Sequence, residues 1–232
     1  MNIELLTYTP EPELVVAAAA RLCYSNSSIG ALLEKSRAER ETFLEKITSL
    51  GHLSVLEHVS FSFGVEGISR ACSHQLVRHR LASYSQQSQR YVSHSKQFSA
   101  VTPDSIAAVA DLAERYQQML ADIHGFYAEM LEAGIPAEDA RFILPNAATT
   151  KLVVTMNGRE LLHFLSLRCC RRAQWEIQAL AKQMLQLVKP LAPILFAKAG
   201  PGCVGGSCPE GAMTCGAIKE VRSEFSQLSL GS

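Results

Sequence analysis

Arg78, His79 and Arg80 stand side by side in the stretch Gln75–Tyr91, with Ser83, Tyr84, Ser85, Ser88, Arg90 and Tyr91 close behind. No Asp or Glu occurs between Glu66 and Asp104, whereas Arg70, Arg78, Arg80, Arg90 and Lys96 all fall in that window. Guanidinium groups grip phosphate or carboxylate through a planar fork of donors, and serine hydroxyls or backbone N–H groups fill the remaining acceptor sites. The chemistry expected here is recognition of a nucleotide or another small anion. A solvated basic loop is the ordinary explanation of a charge run, and the missing carboxylates count against it.

Over the whole 232 residues Lys plus Arg equals Asp plus Glu at 22 each, so the net charge is zero and the basic window is a local feature. A general nucleic-acid binder is expected to be more basic. The alternative is an RNA- or single-strand-binding module using Arg78, Arg80, Arg90, Tyr84 and Tyr91, which implies salt-sensitive oligonucleotide binding by a colourless protein. A third reading is metal-dependent hydrolysis through His52, His58, His74, His79 and the tail cysteines. No two of those histidines have the i, i+4 spacing of common zinc helices, and Glu57 is the lone nearby carboxylate.

Other matches carry less. Ser93-His94-Ser95-Lys96 fits the Ser-x-x-Lys pattern of serine acylases, but neither companion motif follows. Gly200-Pro201-Gly202-Cys203-Val204-Gly205 fits Gly-x-Gly-x-x-Gly, yet it follows a helical pattern rather than a strand. Cys203, Cys208 and Cys215, with Cys169 or Cys170, are candidates for a structural zinc at spacings looser than Cys-x-x-Cys, and no metal is assigned.

The elements that must position these groups follow from periodicity. Residues 2–8 suggest a strand, 13–24 a helix behind Pro12, 25–30 a polar loop, and 37–50 a helix stopped by Gly51. Val59, Phe61, Phe63 and Val65 alternate as a half-buried strand. Ile68, Ala71, Cys72 and Leu76 mark a helix ending near Arg80, after which an extended chain would point Arg78 and Arg80 one way and His79 the other. Residues 89–93 read as strand. Residues 105–133 read as one long helix whose stripe of Val109, Leu112, Tyr116, Met119, Ile123, Phe126 and Met130 is core or subunit interface.

Pro136 opens a short helix containing Arg141, and residues 150–156 are β-rich. Asn157-Gly158 turns into an apolar helix over 159–168, with Arg159 and His163 on one face and Arg168 roughly opposite. Residues 173–198 read as a helix bent at Pro190. The 47% hydrophobic content supports one α+β domain over 1–199, followed by a cysteine-containing tail over 200–232. A basic leader is missing and the Ala17–Ala20 patch is too short for a membrane span, so a cytoplasmic protein is expected. Seven cysteines, an odd number, do not read as a secreted disulfide framework.

Arg78-His79-Arg80, seven intervening residues and then Ser88 resembles the signature of the flavin-dependent thymidylate synthases. The similarity extends through Gly51-His52, Glu57-His58, Ala140–Pro145, Asn157-Gly158-Arg159, Leu167-Arg168 and Ala173–Glu176. It implies a mixed or antiparallel sheet flanked by long helices, and a homotetramer with sites between subunits. FAD would be held by Arg78, His79 and Arg80, helped by Ser54, Gln86, Asn157, Gly158, Arg159 and His163. The dUMP would lie against Gln75, Leu76, Val77, Arg78, Gln86, Gln87, Ser88, Gln89, Arg90 and Arg141. Arg168, catalytic and substrate-binding, would face the pyrimidine and favour its ionised form.

The reaction so implied makes dTMP from dUMP, with methylenetetrahydrofolate as carbon donor and NADPH-reduced FAD as reductant. No enzyme nucleophile on the pyrimidine, nucleic-acid partner or membrane is implied. The sequence departs from the family pattern at Ser85-Gln86, where many members have Asn-Glu, and at His163, often Asn.

Overall fold

The computed structural model describes residues 1–92 and 98–228. The chain divides into two compact units drawn from separated segments. One takes Met1–Asn2, Val65–Arg78 and Tyr84–Val153; the other takes Ile3–Gly64, His79–Ser83 and the chain from Val154 onward. The fold class is α+β, with a four-stranded antiparallel sheet in the order β1-β2-β4-β3.

In chain order, β1 is Asn2–Tyr8 and α1 is Pro12–Leu22, with Pro12 in its first turn. Helix α2, Ile29–Ala38, was expected to be loop as far as Gly30. The Ser28 hydroxyl accepts from the Ala31 N–H at 3.3 Å, and that cap starts the helix early enough to include Gly30. Helix α3, Arg40–Ser49, is then separate from α2, and Gly51 at φ 75° follows its end. A 3-10 segment over Leu53–His58 leads into β2, Ser60–Ser69, where Phe61, Phe63 and Val65 are fully buried as the alternation requires.

Helix α4, Arg70–Leu76, ends before the expected Arg80. The Tyr84 hydroxyl donates to the Leu76 carbonyl at 2.8 Å, satisfying an acceptor of its last turn from a distant residue, which periodicity does not reveal. Strand β3 is Ala82–Gln86, earlier than the expected strand. Residues 89–91 are turn instead, because the Ser88 hydroxyl accepts from the Arg90 N–H at 3.1 Å. Ser93, and with it the Ser-x-x-Lys match, lies outside the described residues.

The long helix expected from 105 to 133 is two: α5, Asp104–Ala107, and α6, Ala110–Glu132, interrupted by Val109 in an extended conformation. Leu112, Met119 and Phe126 are more than half exposed on this chain, while Tyr127 is fully buried, so the expected stripe is not core here. Helix α7 is Ala137–Ala140, continued by a 3-10 turn over Arg141–Ile143.

Strand β4, Thr149–Asn157, runs into α8, Gly158–Arg168. Helix α9, Trp175–Val188, stops before Pro190 instead of bending there. Proline removes a helix donor. The Ile194 and Leu195 N–H groups donate to the buried Glu13 carboxylate at 2.7 and 3.4 Å rather than continuing a helix. Beyond it come α10, Gly202–Gly205, and α11, Ile218–Gln227, which buries Val221 and Phe225. Among the described residues no helix is long and apolar enough to cross a membrane.

Candidate functional site

In the second unit the chemistry gathers on α8. The Asn157 side chain accepts from the Glu160 N–H at 2.8 Å, an N-cap that fixes the first turn of the helix. The Gly158 N–H donates to the Val59 carbonyl at 2.8 Å. A Cβ at position 158 would come within 2.9 Å of the Leu56 carbonyl oxygen, so this approach needs glycine. Asn157 and Gly158 therefore set where α8 begins.

His79 is buried beside that helix. Its Nδ1 lies 3.1 Å from Glu160 Oε1, and the Arg168 Nε–H donates to its Nε2 at 3.1 Å. The His163 and Phe164 rings meet it edge-on, at centroid distances of 5.9 and 5.0 Å. Burial first, and then the Arg168 charge, hold the His79 pKa below the ordinary histidine value, against the pull of Glu160. Arg168, expected on the face opposite His163, thus converges with it on one imidazole. The Arg168 terminal nitrogens make no hydrogen bond among the described residues.

Arg159 pairs with Glu57 at 2.6 Å, with both side chains about half exposed. An exposed pair of this kind contributes about 0–1 kcal/mol and yields readily to a stronger anion. His163, Ser54 and Arg80 are also exposed.

The first unit holds a different set. Gln86 Nε2 donates to the Ser73 and Thr150 hydroxyls, each at 3.1 Å, and Gln87 N–H donates to the Lys151 carbonyl at 2.9 Å. Gln75 donates to the Ala71 carbonyl at 3.2 Å. The Leu76 side chain is core, Val77 and Arg78 are exposed, and Ser88 and Gln89 are half-buried. Arg90 pairs with Glu138 at 2.8 Å, and Arg141 Nε donates to the Glu138 carbonyl at 3.1 Å. The Glu138 carboxylate is thus taken by Arg90, and Arg141 meets only its backbone carbonyl.

Sequence reasoning gave Arg70 no role. Burial, and then the nearby Arg141 charge, lower its pKa, so the two cations lie near one another. Its place in the acid-free window was the available signal. Glu160 was also passed over, although it follows Asn157-Gly158-Arg159 directly.

The remaining candidates separate from these groups. Among the described residues no three metal-capable side chains are gathered closely enough to hold an ion. Cys170, Cys203, Cys208 and Cys215 do line one small cavity in the second unit. Cys72, nearest the basic stretch, is fully buried, and burial pushes the Cys169 thiol up to about 12.

The model of the family described as thymidylate synthase complementing protein matches residues 4–194. The chain is 57% identical to a flavin-dependent thymidylate synthase of Geobacter sulfurreducens, covering 99% of this chain and 100% of the relative. The enzyme of the same name from Clostridium tetani is 46% identical over 97% of both chains. That from Pyrococcus furiosus is 41% identical over 99% of this chain and 98% of its own length. A match of this length, on a fold that places Arg168 against the histidine of the Arg-His-Arg motif, admits one assignment: the chain belongs to the flavin-dependent thymidylate synthases.

Proposed function

We propose that this protein converts dUMP to dTMP, taking the carbon from methylenetetrahydrofolate and the electrons from NADPH by way of bound FAD. The observation that carries this reading is Arg168, held through Nε by a buried imidazole while its terminal nitrogens stay uncommitted among the described residues. A guanidinium remains charged at any working pH, so aimed at the pyrimidine it stabilises the anion from which C5 accepts a carbon.

Arg141, close enough to Arg70 for its charge to lower the Arg70 pKa, suits the nucleotide phosphate, joined by Ser88 and Arg90. The remaining nucleotide contacts fall to Gln75, Arg78, Gln86, Gln87 and Gln89 and to the backbone at Leu76 and Val77.

The donor set also fits the cofactor. Arg78 and Arg80 are exposed with no ion pair among the described residues, and Arg159 is held only by its exposed pair with Glu57, which suits them to a diphosphate. Ser54 and His163 complete that set, and Asn157 and Gly158 fix the helix start behind it. FAD, when bound, supplies the reducing equivalents that turn the transferred methylene into a methyl group. A buried Cys72 and a protonated Cys169 suit a reaction without a thiolate attack on the pyrimidine.

The half-exposed Leu112, Met119 and Phe126 of α6 suit burial against other copies of the chain, as in a cytoplasmic homotetramer. The purified protein is expected to show an oxidised-flavin absorption spectrum that dUMP perturbs. A colourless protein that neither takes up FAD nor responds to dUMP, yet binds oligonucleotides in a salt-sensitive way, would overturn this function.

A further inference from the structure

The Glu160 and His79 side chains are each only 4% exposed, and they meet at 3.1 Å through Glu160 Oε1 and His79 Nδ1. An arginine Nε–H only donates, so His79 Nε2, 3.1 Å from Arg168 Nε, must present its lone pair. The imidazole is therefore neutral, with its single proton on Nδ1 and directed at Glu160. The ring is held edge-on by Phe164 at 5.0 Å, and the charged or titratable groups facing it include, among the described residues, Glu160, Arg168 and His163.

We propose that Glu160 is a positioning residue for Arg168, acting through His79: its carboxylate selects the imidazole tautomer whose Nε2 accepts from the Arg168 Nε–H. This rests on the assignment of Arg168 to the pyrimidine. Without the carboxylate, His79 can take the other tautomer, in which Nε2–H and Nε–H oppose each other and the guanidinium is released. An imidazolium has the same effect, since it has no lone pair and adds a positive charge beside Arg168. Activity then falls on the acid side as His79 takes up a proton.

The test compares wild type, Glu160→Ala and Glu160→Gln for kcat, dUMP KM, bound flavin and the pH profile of kcat. A glutamine oxygen still accepts from Nδ1–H, so it preserves the tautomer without the charge. The alanine variant is expected to lose about 10²-fold in kcat, the scale of a displaced reacting group, with dUMP KM and flavin content little changed. Glutamine is expected to restore most of that loss. It should also move the acid limb to lower pH, because the carboxylate that favours protonated His79 is gone.

A folded, flavin-loaded alanine variant with wild-type kcat would overturn the proposal, as would a glutamine variant that fails to restore activity or leaves the acid limb in place. Nitrogen-15 spectra of histidine-labelled wild type, with His79 identified by its loss in His79→Gln, give an independent readout. An Nδ1–H signal supports the relay, and an Nε2–H or doubly protonated ring at neutral pH refutes it. If the wild type made no dTMP yet showed the Nδ1–H tautomer, the reaction assignment alone would fail.

Discussion

Arg168→Ala is expected to lower dTMP formation by about 10²–10³-fold, the cost of removing a preorganised charge from a developing anion, while FAD stays bound. The arginine occupies the last turn of α8, where a cation is also favoured by the helix dipole. That interaction contributes only about 0.3–1 kcal/mol at a helix end, too little for its loss to unfold the chain. The effect should therefore appear in turnover, read as kcat at saturating dUMP, with flavin absorbance retained. Unchanged turnover would remove Arg168 from the mechanism and reduce it to a helix-end charge.

Phe164→Ala is expected to have the largest effect on stability, about 3–5 kcal/mol, because removing a buried phenyl ring loses its transfer energy and leaves a cavity. The ring is fully buried and meets His79 edge-on at 5.0 Å, so the cavity would open beside the imidazole that holds Arg168. Denaturant unfolding should show a lower midpoint, and the folded fraction should turn over more slowly than wild type. A loss below about 1 kcal/mol would mean that the site collapses around the gap and that the ring does little to fix His79.

Much of the fold was legible because it depends on local pattern. The alternation from Val59 to Val65 marks β2, and the change from β-branched residues to Asn157-Gly158 marks where β4 becomes α8. The errors fall where a distant or single polar contact decides the local structure. Ser28 caps α2, Tyr84 closes α4, Ser88 makes a turn of the expected strand, and Glu13 takes backbone donors beyond Pro190.

The same division holds for the candidate site. The Arg-His-Arg motif was visible as a charge pattern, and the expected alternation is matched by exposed Arg78, buried His79 and exposed Arg80, although Arg78 still lies in the turn that closes α4. The Glu160 contact to His79 spans 81 positions and that of Arg168 spans 89, distances over which neither periodicity nor spacing carries information. The α6 stripe shows a further limit: its repeat was visible, but only the folded chain shows that Leu112, Met119 and Phe126 are left exposed.

The most direct measurement is dTMP formation by the purified protein supplied with dUMP, methylenetetrahydrofolate and NADPH, with and without FAD. Turnover that requires the flavin, and disappears when it is stripped and returns when it is restored, is the expected result. No dTMP from a fully flavin-loaded protein, or dTMP formed equally well without flavin, would contradict the assignment.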